Sequence, residues 1–261
     1  MASIELKFPA GRARRMLMQL AGIRRTYVCP QTWNELTSDQ VLFVARHIFS
    51  KEDYYVALMR IASKLSGVPL IANAFMDDAN RYFLAQQVEW VFDYAKVSLT
   101  KNPASSYGCL HGPADNMSNI IVDEFLFADP LFTQYITTRN ENTLNHLVAV
   151  LYRKKARRPT AADDVREDFD SHSIEARVEH IAKWPDVVKL SIFLFYHGWR
   201  NMMAQENPDL FGGSGSGGAE NDLGFYNVVS DLAAKFGTVQ DARRARFSDF
   251  KLEWKKAAAK K

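Results

Sequence analysis

The chain has 261 residues, 47% apolar and 24% charged, an ordinary globular composition that excludes a disordered or fibrous protein. Its 33 Lys and Arg against 30 Asp and Glu leave a formal charge of +3, too small a surplus to imply a polyanionic partner. Cys29 and Cys109 are the two cysteines; they exclude a disulfide framework, lack metal-ligand spacing and point to a reducing compartment.

In chain order, a short strand is expected at Ile4–Phe8 in an otherwise mainly helical chain. Thr37 and Gln40 have capping-box spacing ahead of a helix through Val41, Val44, Ile48 and Phe49. Helical periodicity continues over Tyr55–Leu65 and Arg81–Lys96, and Pro103, Gly108, Gly112 and Pro113 then mark a long loop over 101–120. A short helix is expected at Leu131–Thr137, just after Pro130, and another on the stripe Leu144, Leu147, Val148, Leu151 and Tyr152. Ile174–Lys183 reads as a surface helix. Asp186–Ala204 is apolar on nearly every side and is expected to be the buried centre of the fold.

Gly212 to Gly218 is a Gly/Ser tract of the kind that behaves as a flexible coil. The expected domains are therefore a helical main domain over 1–211, a linker over 212–222 and a tethered helical hairpin over 223–261. The hairpin is basic, with nine Lys and Arg against four acids. Its first helix has the stripe Phe225, Tyr226, Val229, Leu232, Ala233 and Phe236, and ends at Gly237. Thr238 can cap a second helix, on which Val239, Phe247, Phe250 and Trp254 share a side with Arg243 and Arg246.

Chemistry is sparse. There is no phosphate loop, no GxGxxG after a strand, no HExxH and no GxSxG. The six histidines are scattered, His197 reads as a core residue, and Cys109-x-His111 is two residues and not a site. The acidic run Asp163, Asp164, Glu167, Asp168 and Asp170 lacks the Gly and Glu of a calcium loop. It reads as a solvated connection pairing with the cationic run Arg153–Arg158. No catalytic residue, metal ligand or cofactor is assigned. Met1–Phe8 contains Glu5 and no long apolar region, and the apolar run Val187–Tyr196 is too short for a membrane span. A cytoplasmic protein with no membrane partner is expected.

The segments Pro30–Thr37, Leu144–Arg153, Arg166–Phe169, Ile174–Arg177 and Phe195–Arg200, in this order, resemble proteins encoded in bacteriophage and prophage tail-gene clusters. The resemblance covers about two thirds of the chain, and the two-part layout is similar to that of tail assembly chaperones. It implies a non-enzymatic protein of a bacterial host cell, whose C-terminal extension engages a tape-measure or tail-tube protein. On that reading Arg243, Arg246, Phe247, Phe250 and Trp254 form the partner-binding set, since Trp and Arg often anchor interfaces. Two other classes compete with it. One is a nucleic-acid-binding accessory protein using Arg12, Arg14, Arg15, Arg24, Arg25 and the Arg243–Lys261 segment. The other is an enzyme whose site is assembled from scattered residues such as Cys109, His111 and the Asp163–Asp170 acids.

Overall fold

The computed structural model describes residues 2–5, 26–74, 76–158, 164–208 and 220–258. The fold is mainly α. Its contacts divide the chain into two compact units, Met1–Leu99 and Thr100–Lys261.

In the first unit, strands β1 (Ala2–Glu5) and β2 (Thr26–Cys29) pair antiparallel, Ala2 opposite Cys29 and Glu5 opposite Thr26. The expected strand at Ile4–Phe8 thus begins two residues earlier, and 6–8 lie outside the described residues. Helix α1 (Ser38–Ile48) opens on the expected box: Thr37 Oγ1 accepts from Gln40 N–H, and Gln40 Oε1 accepts from Thr37 N–H. Helix α2 (Tyr54–Ser66) is capped by Asp53 and ends at Gly67, whose left-handed φ of 74° a residue with a Cβ would adopt only under strain. It buries Leu58, Ile61, Ala62 and Leu65, the stripe that period 3.6 requires.

Helix α3 (Asp78–Gln86) stops well short of Lys96, and two 3₁₀ turns follow at Glu89–Phe92 and Tyr94–Lys96. Val88, outside helical geometry at φ −123° and ψ 0°, separates α3 from the first turn, and the Asp93 carboxylate caps the second by accepting from Ala95 N–H. The turn also brings Trp90 edge-on to buried Trp33 at 5.5 Å.

In the second unit, the expected loop over 101–120 contributes two short strands, β3 (Ser106–Tyr107) and β4 (Leu110–His111), with Gly108 at φ 60° between them. They form an antiparallel sheet with β5 (Arg153–Lys154). Tyr152 closes this loop, its one O–H shared between Ala104 O at 2.5 Å and Asn102 Oδ1 at 3.1 Å. Gly112 lies so close that an added Cβ would collide with the Tyr152 ring.

Helix α4 (Val122–Thr138) continues through Pro130, so the short helix expected after that residue is only its second half. The lost backbone bond is offset by packing on both sides of it: Phe125, Leu126, Phe132 and Tyr135 are all buried. Helix α5 (Glu141–Leu151), capped by Asn140, packs on α4 and on α6 (Ile174–Ile181). Helix α7 (Asp186–Glu206) is the core element expected, with Ile192 through Tyr196 fully buried. Its one buried cation, Lys189, reaches Asp186 at 2.9 Å and Glu141 at 3.0 Å.

The C-terminal helices α8 (Glu220–Phe236), α9 (Val239–Arg244) and α10 (Phe247–Ala258) belong to this second unit. The boundary expected at 212–222 is therefore not where the contacts divide the chain, and α8 begins inside the expected linker. The Gly/Ser tract 212–218 lies outside the described residues. Phe225 and Phe247 pack on Phe125 at 4.9 and 4.6 Å, and Phe247 also meets Trp199 at 5.4 Å. These aromatics fill a core shared with α4 and α7, which a free hairpin would leave open.

The second hairpin helix is broken, where one helix from Val239 to Trp254 was expected. Thr238 and Asp241 cap α9, but at Ala245 the chain turns extended and pairs with the segment ahead of α4. Val122 N–H donates to Ala245 O at 3.0 Å and Phe247 N–H to Ile120 O at 2.9 Å. Two backbone bonds across the fold replace two helical ones.

Candidate functional site

The five residues expected to receive a partner have distinct places. Phe250 and Phe247 are buried, at 0% and 2% exposure. Phe250 lies against Phe225 at 5.7 Å and Phe236 at 6.1 Å. Arg243 Nε pairs with Asp123 Oδ1 at 2.6 Å, near the N-terminus of α4, and Arg246 Nη1 donates to Ser118 O at 3.1 Å. Trp254 is half-buried. They do not form one open face: the two phenylalanines close the core, while Arg243 and Arg246 latch the break between α9 and α10 to the segment around Asp123.

Phe247 also borders a groove of about 330 Å³, with Met117, Trp199, Met202 and Met203. Lys251 and Glu206 stand at its edge and pair at 3.2 Å. Methionine is unbranched and polarizable, so such a lining adapts to differently shaped apolar occupants. Asn116 and Met117, on the same wall, have left-handed backbone with φ 57° and 48°. For a residue such as Met this conformation costs about 1 kcal/mol or more and persists only where the surroundings impose it, often beside binding sites. The first unit has exposed apolar side chains of its own, Leu70, Ile71 and Tyr82, at 55%, 60% and 63% exposure.

A second site is electrostatic and lies beneath the start of α4. Glu124, fully buried, accepts from Ile121 N–H at 3.1 Å and so satisfies a free donor at the helix N-terminus. Arg166 enters from the acidic run and is held on every side. Its Nη1 donates to Glu124 Oε1 and to Leu151 O, both at 2.9 Å, and its Nη2 donates to Asn119 O at 3.1 Å. Asp164 takes its Nε and Nη2, both at 2.9 Å. The neighbouring Arg153 is less well provided. Its Nη1 is 3.2 Å from Glu124 Oε1 and its Nη2 3.5 Å from Asp164 Oδ2, while its Nε has no hydrogen-bond acceptor.

Burial lowers the Arg153 guanidinium below its usual value despite Glu124. Burial also acts against charged Arg166, but Glu124 and Asp164 outweigh it and raise that guanidinium. Burial pushes the Asp164 carboxyl up, yet its bonds to Arg166 hold it below the usual carboxylate range.

Here the solvated reading of the acidic run is corrected at Asp164, while Asp168 and Asp170 are exposed as expected. Asp164 does pair with the cationic run, at Arg153, but in a buried network completed by Arg166 and Glu124. Asp163 lies outside the described residues, as do Arg12 to Arg25. Sequence reasoning missed Glu124 and Arg166. The one signal for Glu124 was its place in the first turn of a helix, three residues after Ile121.

Cys109 and His111 do not come together as a pair; Cys109 Sγ instead approaches His180 Nε2 at 4.0 Å. No group of three or more metal-ligating side chains occurs among the described residues, and no helix among them is long and apolar enough to cross a membrane. Searches against protein-family models, curated proteins and solved structures found no significant match.

Proposed function

We propose that this chain is a non-enzymatic assembly protein of the tail assembly chaperone type, which holds an apolar segment of a tape-measure or tail-tube protein before assembly. The observation that carries the reading is the methionine-lined groove between α7 and α10, with Trp199 and Phe247 in its wall. An occupant that is itself an apolar helix would lay one face into such a groove, the mode used where binding, not chemistry, is the task. The Lys251–Glu206 pair at the edge supplies polar contacts at the rim. Phe247 keeps its role from the sequence reading, whereas Phe250 serves by holding α10 in place.

The test is a photo-crosslinking amino acid at Met202, a half-buried groove residue, in the full chain expressed in its native cells. Cross-linking to an apolar helical stretch of a tail structural protein is the expected result. A cross-linker that reports only this chain's own residues contradicts the reading.

A further inference from the structure

Next to the buried charge network is a cavity of about 350 Å³ with Arg153, Arg166, Arg244 and Arg246 among its lining residues. Arg153 is 2% exposed and its Nε has no acceptor. A buried guanidinium N–H with no partner is costly, and a ligand oxygen would relieve it. Arg166 is fixed by its bonds to Glu124 and Asp164, so that part of the wall is preorganised. Arg244 and Arg246 arrive from the C-terminal segment because Arg246 pairs as an isolated bridge with Ile121.

An adjoining cavity of about 460 Å³ is lined by Lys154, Lys155, Arg157 and Arg158, and shares Glu167 and Asp168 with the first. The acids do not cancel the cations. Together the two cavities have eight cationic and three acidic lining residues, and Asp164 is already committed to Arg166 and Arg153. A neutral ligand would gain nothing from this field. A single carboxylate would use little of it, whereas a phosphate group offers several acceptor oxygens to guanidinium forks.

We propose that these joined cavities bind a phosphate group, with Arg153 and Arg244 as direct contacts in the first cavity and Arg157 in the second. The phosphate has two sources to distinguish, a nucleic-acid backbone and a small phosphorylated molecule. The site is separate from the methionine-lined groove, so either assignment can fail alone.

The experiment uses the full chain. Anisotropy of a fluorescein-labelled oligothymidylate is measured across salt concentrations, and calorimetry is run with adenosine monophosphate, inorganic phosphate and acetate. Each is repeated with Arg244→Gln/Arg157→Gln and with Lys235→Gln, a cation that lines neither cavity. Arg244 and Arg157 are exposed, so the double variant keeps the fold.

For a backbone source, the double variant weakens oligonucleotide binding about tenfold or more and flattens the log–log salt slope by roughly 1.4, two contacts at about 0.7 each. Lys235→Gln changes binding by less than about twofold. For a small-molecule source, the monophosphate or phosphate binds by calorimetry, the double variant abolishes it, and the oligonucleotide neither binds nor competes. The proposal is overturned by equal losses in the two variants, by acetate binding as well as phosphate, or by no binding of any phosphate-bearing probe.

Discussion

Glu124 shows how one side chain can tie distant parts of the sequence together. Its carboxylate serves the N-terminus of α4 and reaches Arg166 and Arg153 without any exposure to water. A buried pair is costly to break from one side, because the remaining charges stay desolvated. Glu124→Gln should therefore lower stability by about 3–5 kcal/mol in chemical denaturation. A loss below about 1 kcal/mol would mean that water reaches the network.

His197 gives the residue scale its pH dependence. Burial, reinforced by the cations Arg200 and Arg139, lowers its imidazole to about 4 from the usual 6.5. The folded state therefore stays unprotonated there while the unfolded chain takes up a proton. Stability falls as pH drops from 6.5 toward 4, by up to about 3 kcal/mol. His197→Asn should flatten the stability curve across that window, and a curve of unchanged slope would remove His197 as its cause.

Among the elements, the clearest contrast is between α7 and the C-terminal helices. Helix α7 was legible because apolar residues on every side leave burial as the only solution. The caps at Thr37 and Thr238 were legible because capping is local chemistry within four residues. The early end of α3, the passage of α4 through Pro130 and the break between α9 and α10 were not. Each is decided by a partner far along the chain or by a turn that competes with the helix: Trp33 packing on Trp90 and the turn at Val88 for the first, the buried aromatics for the second, Ile120–Val122 for the third.

The hairpin's aromatics stand out in the sequence as a set that needs covering, but the sequence cannot say whether a partner or the same chain covers it. Phe250, fully buried between Phe225 and Phe236, makes that distinction measurable. Phe250→Ala should cost about 3–5 kcal/mol and lower the melting of the whole second unit. If the hairpin were an independent tethered module, only a minor local transition would shift.

At the scale of the whole molecule, the contacts and the composition mark different places along the chain. A Gly/Ser tract reads as a boundary, yet the helices after it complete the core of Thr100–Lys261, while the division at Leu99 and Thr100 has no compositional mark. The candidate sites were half legible for the same reason. Single residues such as Phe247 and the cationic run Arg153–Arg158 stood out. The methionines from two separate segments that share one groove, and the arginines that share one cavity, are brought together only by contacts between parts of the chain far apart in sequence.

The central claim is that the groove holds a partner protein, and co-purification tests it most directly. The tagged full chain and its Met202→Glu variant would be recovered from native cells with tail genes expressed, treated with nuclease and analysed by mass. A charge placed in an apolar contact should reduce recovery of a tape-measure or tube protein about tenfold or more, with the melting temperature unchanged. Equal recovery by both proteins would contradict the account.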